Sequence, residues 1–392
     1  MAADWSMLPL DVVGVIALKL QTFEDFIKFS VACRWWNRAS SSVKHQWKAK
    51  PVVPWLLLAE NTKDNPDCVR KIFNLSNNKR YNLYLPETFG ARCWGSPYGW
   101  IAMIDRNYDV ILLNPITKAQ FHFPCLKPLD CGTPPTSGES YESWFLRCFA
   151  NRLIVLKVPQ NNNYEFVVLV VYEYYQGLAF ARQGDQQWTP IFVKSEVKMV
   201  DLVAIEDKVF ALYEDGSIVS WNVDEFNALQ LIKPADYSLH VNLVFVKLNK
   251  SINQIYMAQS GNELLLVLRY KDGVGNADNT DFDHDIVYRT IGFEVYKLKP
   301  KDKIWEITKD LGEVALVVGG NSSMCVATGH AEGLQRNCIY FTDDDYVYWR
   351  LVREKGGHDT GFYDIKTDVL QFYEGDDMRS SFSPPTFFIP QL

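Results

Sequence analysis

Histidines, cysteines and carboxylates at ligand or proton-transfer spacing are the residues that would announce chemistry in this chain. The six histidines, at 45, 122, 240, 284, 330 and 358, form no HxH or HExxH pair, so no zinc-type site is written in their spacing. The densest acidic run, "DNTDFDHD", gathers Asp278, Asp281, Asp283, His284 and Asp285. It carries oxygen enough for a hard cation but lacks the glycine and closing glutamate of a calcium loop. Lying in a polar insertion between strands, it reads as a solvated acidic loop. Asp343, Asp344 and Asp345 in "FTDDDYVY" read the same way. "VVGGNSSM", residues 317–324, pairs Gly319 and Gly320 with hydroxyl side chains. No lysine follows at phosphate-loop spacing and no helix is signalled, so a turn between strands is expected. The cysteines (33, 68, 93, 125, 131, 148, 325 and 338) contain no CxxC pair and are expected to be reduced thiols. Among 47 Asp and Glu no glycosidase-type pair stands out. The sequence therefore assigns no catalytic residue, no cofactor and no metal.

Composition narrows the partners. The net charge is −7 and no basic stripe with interleaved aromatics is present, which argues against nucleic acid. No apolar run approaches the length of a membrane-spanning helix, and "EFVVLVVYEYY" and "ELLLVLRY" are strand-sized. "MAADWSMLPLDV" lacks the basic start of a signal peptide, so cytoplasm and/or nucleus is the expected location.

A chain without chemistry of its own acts through surfaces, and two kinds of element must position them. The first fifty residues have helical texture. Val12, Val13, Ile16 and Leu20 fall at i, i+1, i+4 and i+8, which predicts one apolar stripe on a first helix behind Pro9. Thr22 followed by Asp25 resembles a capping box for a second helix from about Phe23, carrying Phe26 and Phe29. A third segment holds Trp35, Trp36 and Trp47.

At "KPVVPWLLLAE" the texture changes, which divides the chain into a helical unit over 1–50 and an all-β unit over 51–392. Strand–turn–strand units recur, among them "IFNLSNNKRYNLYLP", "VILLNPITKAQFHFP" and "GFYDIKTDVLQFY". "KVFALY" is apolar on both faces, as expected of a strand sandwiched between sheets. Repeated hairpins of this kind predict a β-propeller, six-bladed by count with seven open. The blades fall near 52–90, 92–125, 144–192, 197–232, 239–309 and 313–375, with "PPTFFIP" completing the first.

A helical unit this small hides little of its own apolar surface, and uncovered apolar surface marks an interaction site. The segment resembles an F-box. Leu8-Pro9 matches that family's opening, Val12, Val13, Ile16 and Leu20 its first helix, Asp25-Phe26 and Phe29 its middle, and "ACRWW" its ending, with Cys33 and Trp36 in register. Ala32 stands where the family has Val, and Leu10 where it is often polar or acidic, departures that bear on how tightly an adaptor is held. Downstream, "LLNPIT" and "LGEVALVVGGNSSMCV" resemble hallmarks of the plant F-box family with a C-terminal predicted propeller.

The resemblance implies a substrate receptor of an SCF-type ubiquitin ligase, itself non-catalytic. Its F-box would dock a Skp-family adaptor, and through it cullin and RING subunits, while the propeller holds an unidentified target protein. Leu8, Pro9, Val12, Val13, Ile16, Leu20, Phe26, Phe29, Cys33 and Trp36 are carried over as contact or packing positions, the two roles left unseparated. The stretches 126–143, 271–287 and 328–337 are the candidate target contacts, because recognition is concentrated in surface loops. Two alternatives stay open: an interaction protein whose F-box has drifted, and a sugar-binding or hydrolytic propeller.

Overall fold

The N-terminal periodicity becomes three helices in the computed structural model: α1 (Leu10–Lys19), α2 (Phe23–Val31) and α3 (Arg34–Trp47). The structure describes residues 8–20, 23–47, 52–60, 68–127, 129, 152–160, 163–172, 177–191, 199–205, 208–213, 218–222, 252–261, 263–274, 287–299, 304–329, 333–345, 356–380 and 382–391. Thr22 and the 50/51 division lie outside them. Pro9 caps α1, and Asp11 at its start and Lys19 at its end suit the helix dipole.

The single stripe expected on α1 is corrected. The packing of α1 on α3 turns Val13 and Ala17 inward while Val12 and Val15 face out. Gly14 lets α1 lie close on α3; a Cβ there would sit 3.2 Å from Val43 Cγ1. Inside the unit Phe26 stacks on Trp47 at 4.6 Å and Phe29 on Trp36 at 4.3 Å.

The β unit is a six-bladed propeller. Blade 1 holds β1 (Trp55–Leu57), β2 (Val69–Asn74) and β3 (Lys79–Tyr84); blade 2 holds β4 (Arg92–Gly95), β5 (Ile101–Ile104), β6 (Val110–Leu113) and β7 (Gln120–Phe123). Blade 3 follows as β8 (Arg152–Gln160), β9 (Asn163–Tyr172), β10 (Gly177–Arg182) and β11 (Thr189–Ile191). Blade 4 shows β12 (Met199–Ile205), β13 (Lys208–Tyr213) and β14 (Ile218–Asn222). Blade 5 has β15 (Ile252–Ser260), β16 (Glu263–Val274), β17 (Val287–Lys299) and β18 (Ile304–Thr308). Blade 6 comprises β19 (Val314–Val318), β20 (Met324–Ala327), β21 (Cys338–Phe341), β22 (Gly361–Asp364) and β23 (Val369–Phe372). The last strand, β24 (Thr386–Phe388), returns to pair antiparallel with β1, setting Trp55 against Phe388 and Leu57 against Thr386. "PPTFFIP" thus completes the first blade as expected, and closing the ring covers the blade faces that a linear array of sheets would leave bare.

Alternation along each strand builds the body. In β9 Phe166, Val168 and Val170 pack towards blade 2, while Val167, Leu169 and Val171 pack towards blade 4. This is why "EFVVLVVY" is apolar at every position from Phe166 to Val171. Similar wedges of buried side chains join blades 4 and 5, 5 and 6, and 6 and 1. The wedge between blades 1 and 2 differs, because Val13, Phe23, Phe26 and Trp47 of the helices extend it.

Candidate functional site

Three places bring side chains together: the axis of the ring, the junction of blades 5 and 6, and the helical unit. At the axis, residues 319–323 link β19 to β20, so the "GGNSS" turn does lie between strands, and they reach across the ring. Ser322 N–H donates to Gly95 O in blade 2 at 3.0 Å, and Thr386 Oγ1 in blade 1 donates to Gly320 O at 3.3 Å. Arg152 of blade 3 donates to Asn321 O at 2.8 Å and pairs with Asp201 of blade 4 at 2.7 Å. Asp201 also accepts the Met257 N–H of blade 5 at 2.6 Å. All six blades are tied together through this turn and one buried ion pair. Gly319, at φ +120°, is required because a Cβ there would fall 2.3 Å from Thr342 Oγ1.

Between blades 5 and 6 lies the polar cluster that corrects the solvated-loop reading of Asp343–Asp345. Arg269 is wholly buried and donates through Nη2 to Asp359 Oδ2 at 2.9 Å, through Nε to Thr290 Oγ1 at 2.8 Å and through Nη1 to Thr342 O at 2.8 Å. Lys271 pairs with Asp345 at 3.2 Å. Asp343, also wholly buried, accepts from Tyr288 Oη at 2.7 Å and from Gly357 N–H at 2.8 Å, and faces His358. Burial works to raise the Asp343 carboxyl, but Lys271, His358 and the Tyr288 hydroxyl outweigh it and hold it below the ordinary carboxylate range. Burial and the neighbouring carboxylates push the Tyr256 and Tyr288 phenols well up, so both stay neutral donors.

A strand edge explains why so much charge is buried here. β17 pairs with β18 only over Val295–Lys299. On the earlier stretch, Tyr288 O meets His358 Nε2 at 2.9 Å and Thr290 N–H donates to Asp359 Oδ1 at 2.9 Å. Side chains from blade 6 stand where a neighbouring strand's backbone would, which satisfies an edge that would otherwise invite foreign strands. A general acid or base must reach a substrate; Asp343, Asp359 and Arg269 are enclosed, Arg269 and Asp359 paired with each other and Asp343 held by Tyr288, Gly357 and His358. Among the described residues no group of three or more His, Cys, Asp or Glu is placed to hold a metal.

The helical unit sorts the motif positions. Val13, Phe26 and Phe29 are buried as internal core, and Leu8, Ile16, Leu20, Cys33 and Trp36 are half-buried. Pro9 and Val12 face outward. Three further apolar side chains of the same helices, absent from the motif positions, are exposed: Val15 at 56%, Val31 at 73% and Trp35 at 37%. Trp35 Nε1–H donates to Leu8 O at 2.7 Å, which fastens the start of α3 to the start of α1 and gathers Leu8, Pro9 and Trp35 at one end. The signal for Val15 was available in the sequence as a valine three residues after Val12, beyond what one inward face can use.

The opposite end of the unit rests on the propeller. Phe23 meets Trp47 and Trp55, each at 5.6 Å between ring centres, and Glu24 accepts from Tyr81 Oη, Asn77 Nδ2 and Lys28. Partial burial works to raise the Glu24 carboxyl, yet Lys28, Tyr81 and Asn77 together hold it below its ordinary value.

Within the candidate target stretches, residues 128, 130–143, 275–286 (with the acidic run 278–285) and 330–332 lie outside the described residues. Leu126, Leu129, Lys271, Leu334 and Asn337 are all buried, so the described ends are anchored in the body.

The family description "KIB1-4 beta-propeller" matches residues 72–364. The chain belongs to this plant F-box and propeller family. The match runs from β2 to β22 and leaves the three helices and the closing strand outside it. Relatives carry the F-box in their names. F-box/kelch-repeat protein KIB1 of Arabidopsis thaliana is 25% identical over 353 residues, spanning 87% of this chain and 78% of its own. F-box protein KIB4 of the same plant is 22% identical over 384 residues, spanning 90% and 85%. F-box protein KIB3 is 24% identical over 384 residues, spanning 93% and 78%. KIB1-4 family membership and the three-helix N-terminus agree with the resemblance drawn from the sequence.

Proposed function

We propose that this protein is the substrate-recognition subunit of a Skp–cullin–F-box ubiquitin ligase. The observation that carries the reading is the outward apolar end of the helical unit. Pro9, Val12, Val15, Val31 and Trp35 stay uncovered while the same helices bury Val13, Phe23, Phe26 and Phe29. Exposed apolar side chains on a helical unit that also exposes Asp11, Lys19, Arg34 and Arg38 suit a groove on a partner, with helix residues as anchors. On this reading the adaptor covers that end, cullin and RING subunits follow through it, and the propeller presents a target protein. Ubiquitin transfer is accelerated by raised local concentration and orientation, and no residue of this chain enters the bond-making step.

Co-purification tests it. Wild-type protein is expected to retain a Skp-family adaptor. Val12→Glu combined with Val15→Glu is expected to weaken retention at least ~30-fold, about 2 kcal/mol for anchors at an interface centre. Both positions face outward, so the variant keeps its fold. Wild-type protein that never retains the adaptor overturns the proposal.

A further inference from the structure

The helical unit sits on blade 1 through a continuous joint. From the unit come Phe23, Glu24 and Trp47; from the propeller come Trp55, Asn77 and Tyr81. Phe23 is 7% exposed and touches Trp47 on its own side and Trp55 across the joint, the latter edge-on at 80°. Trp55 continues the chain of rings to Phe388 of the closing strand at 6.3 Å and to Tyr81 at 6.5 Å. Beside the rings Glu24 takes hydrogen bonds from both Asn77 and Tyr81, with Asn77 Nδ2 also 2.9 Å from Tyr81 Oη. The apolar core of the helices and that of the blade 1–2 wedge are one cluster. A tethered, independently moving helical unit would place solvent between these two cores.

We infer that the three helices and the propeller form one rigid body. Phe23, Glu24, Trp55, Asn77 and Tyr81 act as positioning residues that fix where a propeller-bound protein lies relative to whatever caps the exposed helical end. The functional meaning rests on the ligase reading; the rigidity does not. In a ligase the distance from acceptor lysine to the transferring enzyme is set by such joints, and orientation is itself a source of rate. Removing Asn77 and Tyr81 as donors cuts the polar half of the joint without opening the aromatic core, and replacing Trp55 loosens the apolar half.

Two spin labels placed by non-canonical amino acids at Ser41 on α3 and Gln186 in blade 3, both exposed, report the joint directly in the full-length chain. Wild type is expected to give one narrow distance distribution. Asn77→Ala with Tyr81→Phe is expected to widen it, and adding Trp55→Leu to at least double its width, while the propeller's melting temperature in the polar double variant stays near wild type. With reconstituted adaptor, cullin and RING subunits, the loosened variants should bind adaptor as wild type does but spread ubiquitin over more of the chain's own lysines. A broad distribution already in wild type, or an unchanged one in all variants, overturns the inference. A narrow distribution with no adaptor binding leaves the joint standing and removes only the ligase reading.

Discussion

Arg269→Met is expected to destabilise the folded chain by about 3–5 kcal/mol, the usual cost of leaving a buried charge without its partner. Methionine nearly fills the volume, so the loss is electrostatic and polar. Asp359 loses a guanidinium at 2.9 Å that helps hold its carboxylate on Thr290, keeping Lys271 at 3.8 Å, while Thr342 O and the Tyr256 hydroxyl lose a donor. The same change uncovers the β17 edge indirectly, because Asp359 is the group that caps Thr290 N–H. Chemical denaturation gives the stability, and light scattering at the midpoint should show more aggregation than for wild type. Combining Arg269→Met with Asp359→Asn should recover part of the loss, since the buried carboxylate left with only the longer Lys271 pairing is then neutral. A cost below about 1 kcal/mol for the single variant would mean the cluster is not closed as described.

Arg152→Met is the second large effect, again about 3–5 kcal/mol. Here the guanidinium holds the 319–323 turn across the ring and neutralises Asp201, whose side chain is wholly buried. Burial pushes the Asp201 carboxyl up, with Arg152 and the Met257 and Leu202 amides opposing. Loss of Arg152 releases that opposition. The Asp201 carboxyl should then titrate still higher, and the variant should be less destabilised in mild acid than at neutral pH. Thermal unfolding of wild type and variant across that range reads both the size and the sign.

Much of the architecture could be read from residues alone. "EFVVLVVY" is apolar on both faces because a blade is sandwiched between two others, and "PPTFFIP" at the far end matched the missing strand of blade 1. What could not be read were contacts made across the ring. Arg269 and Asp359 are 90 residues apart and Arg152 and Asn321 169 apart, so each half reads locally as an ordinary loop or strand residue. Asp343–Asp345 looked solvated because three consecutive carboxylates are nearly always on the surface; buried cations from another blade reverse that preference. In the helical unit the motif located the helices but did not separate Val12 from Val13. That distinction depends on where α3 and Val43 lie, and no spacing rule over four residues supplies it. Val31 and Trp35 entered the site only through exposure and the Trp35–Leu8 hydrogen bond.

Hydrogen exchange of the full-length chain, with and without a Skp-family adaptor, shows whether the adaptor covers the exposed helical end. New protection is expected at the amides of residues 10–16 in α1 and of Val31–Trp35, with β1 to β3 unchanged because their joint to the helices is already made. Protection confined to the propeller, or none at the start of α1 under saturating adaptor, would contradict the ligase reading.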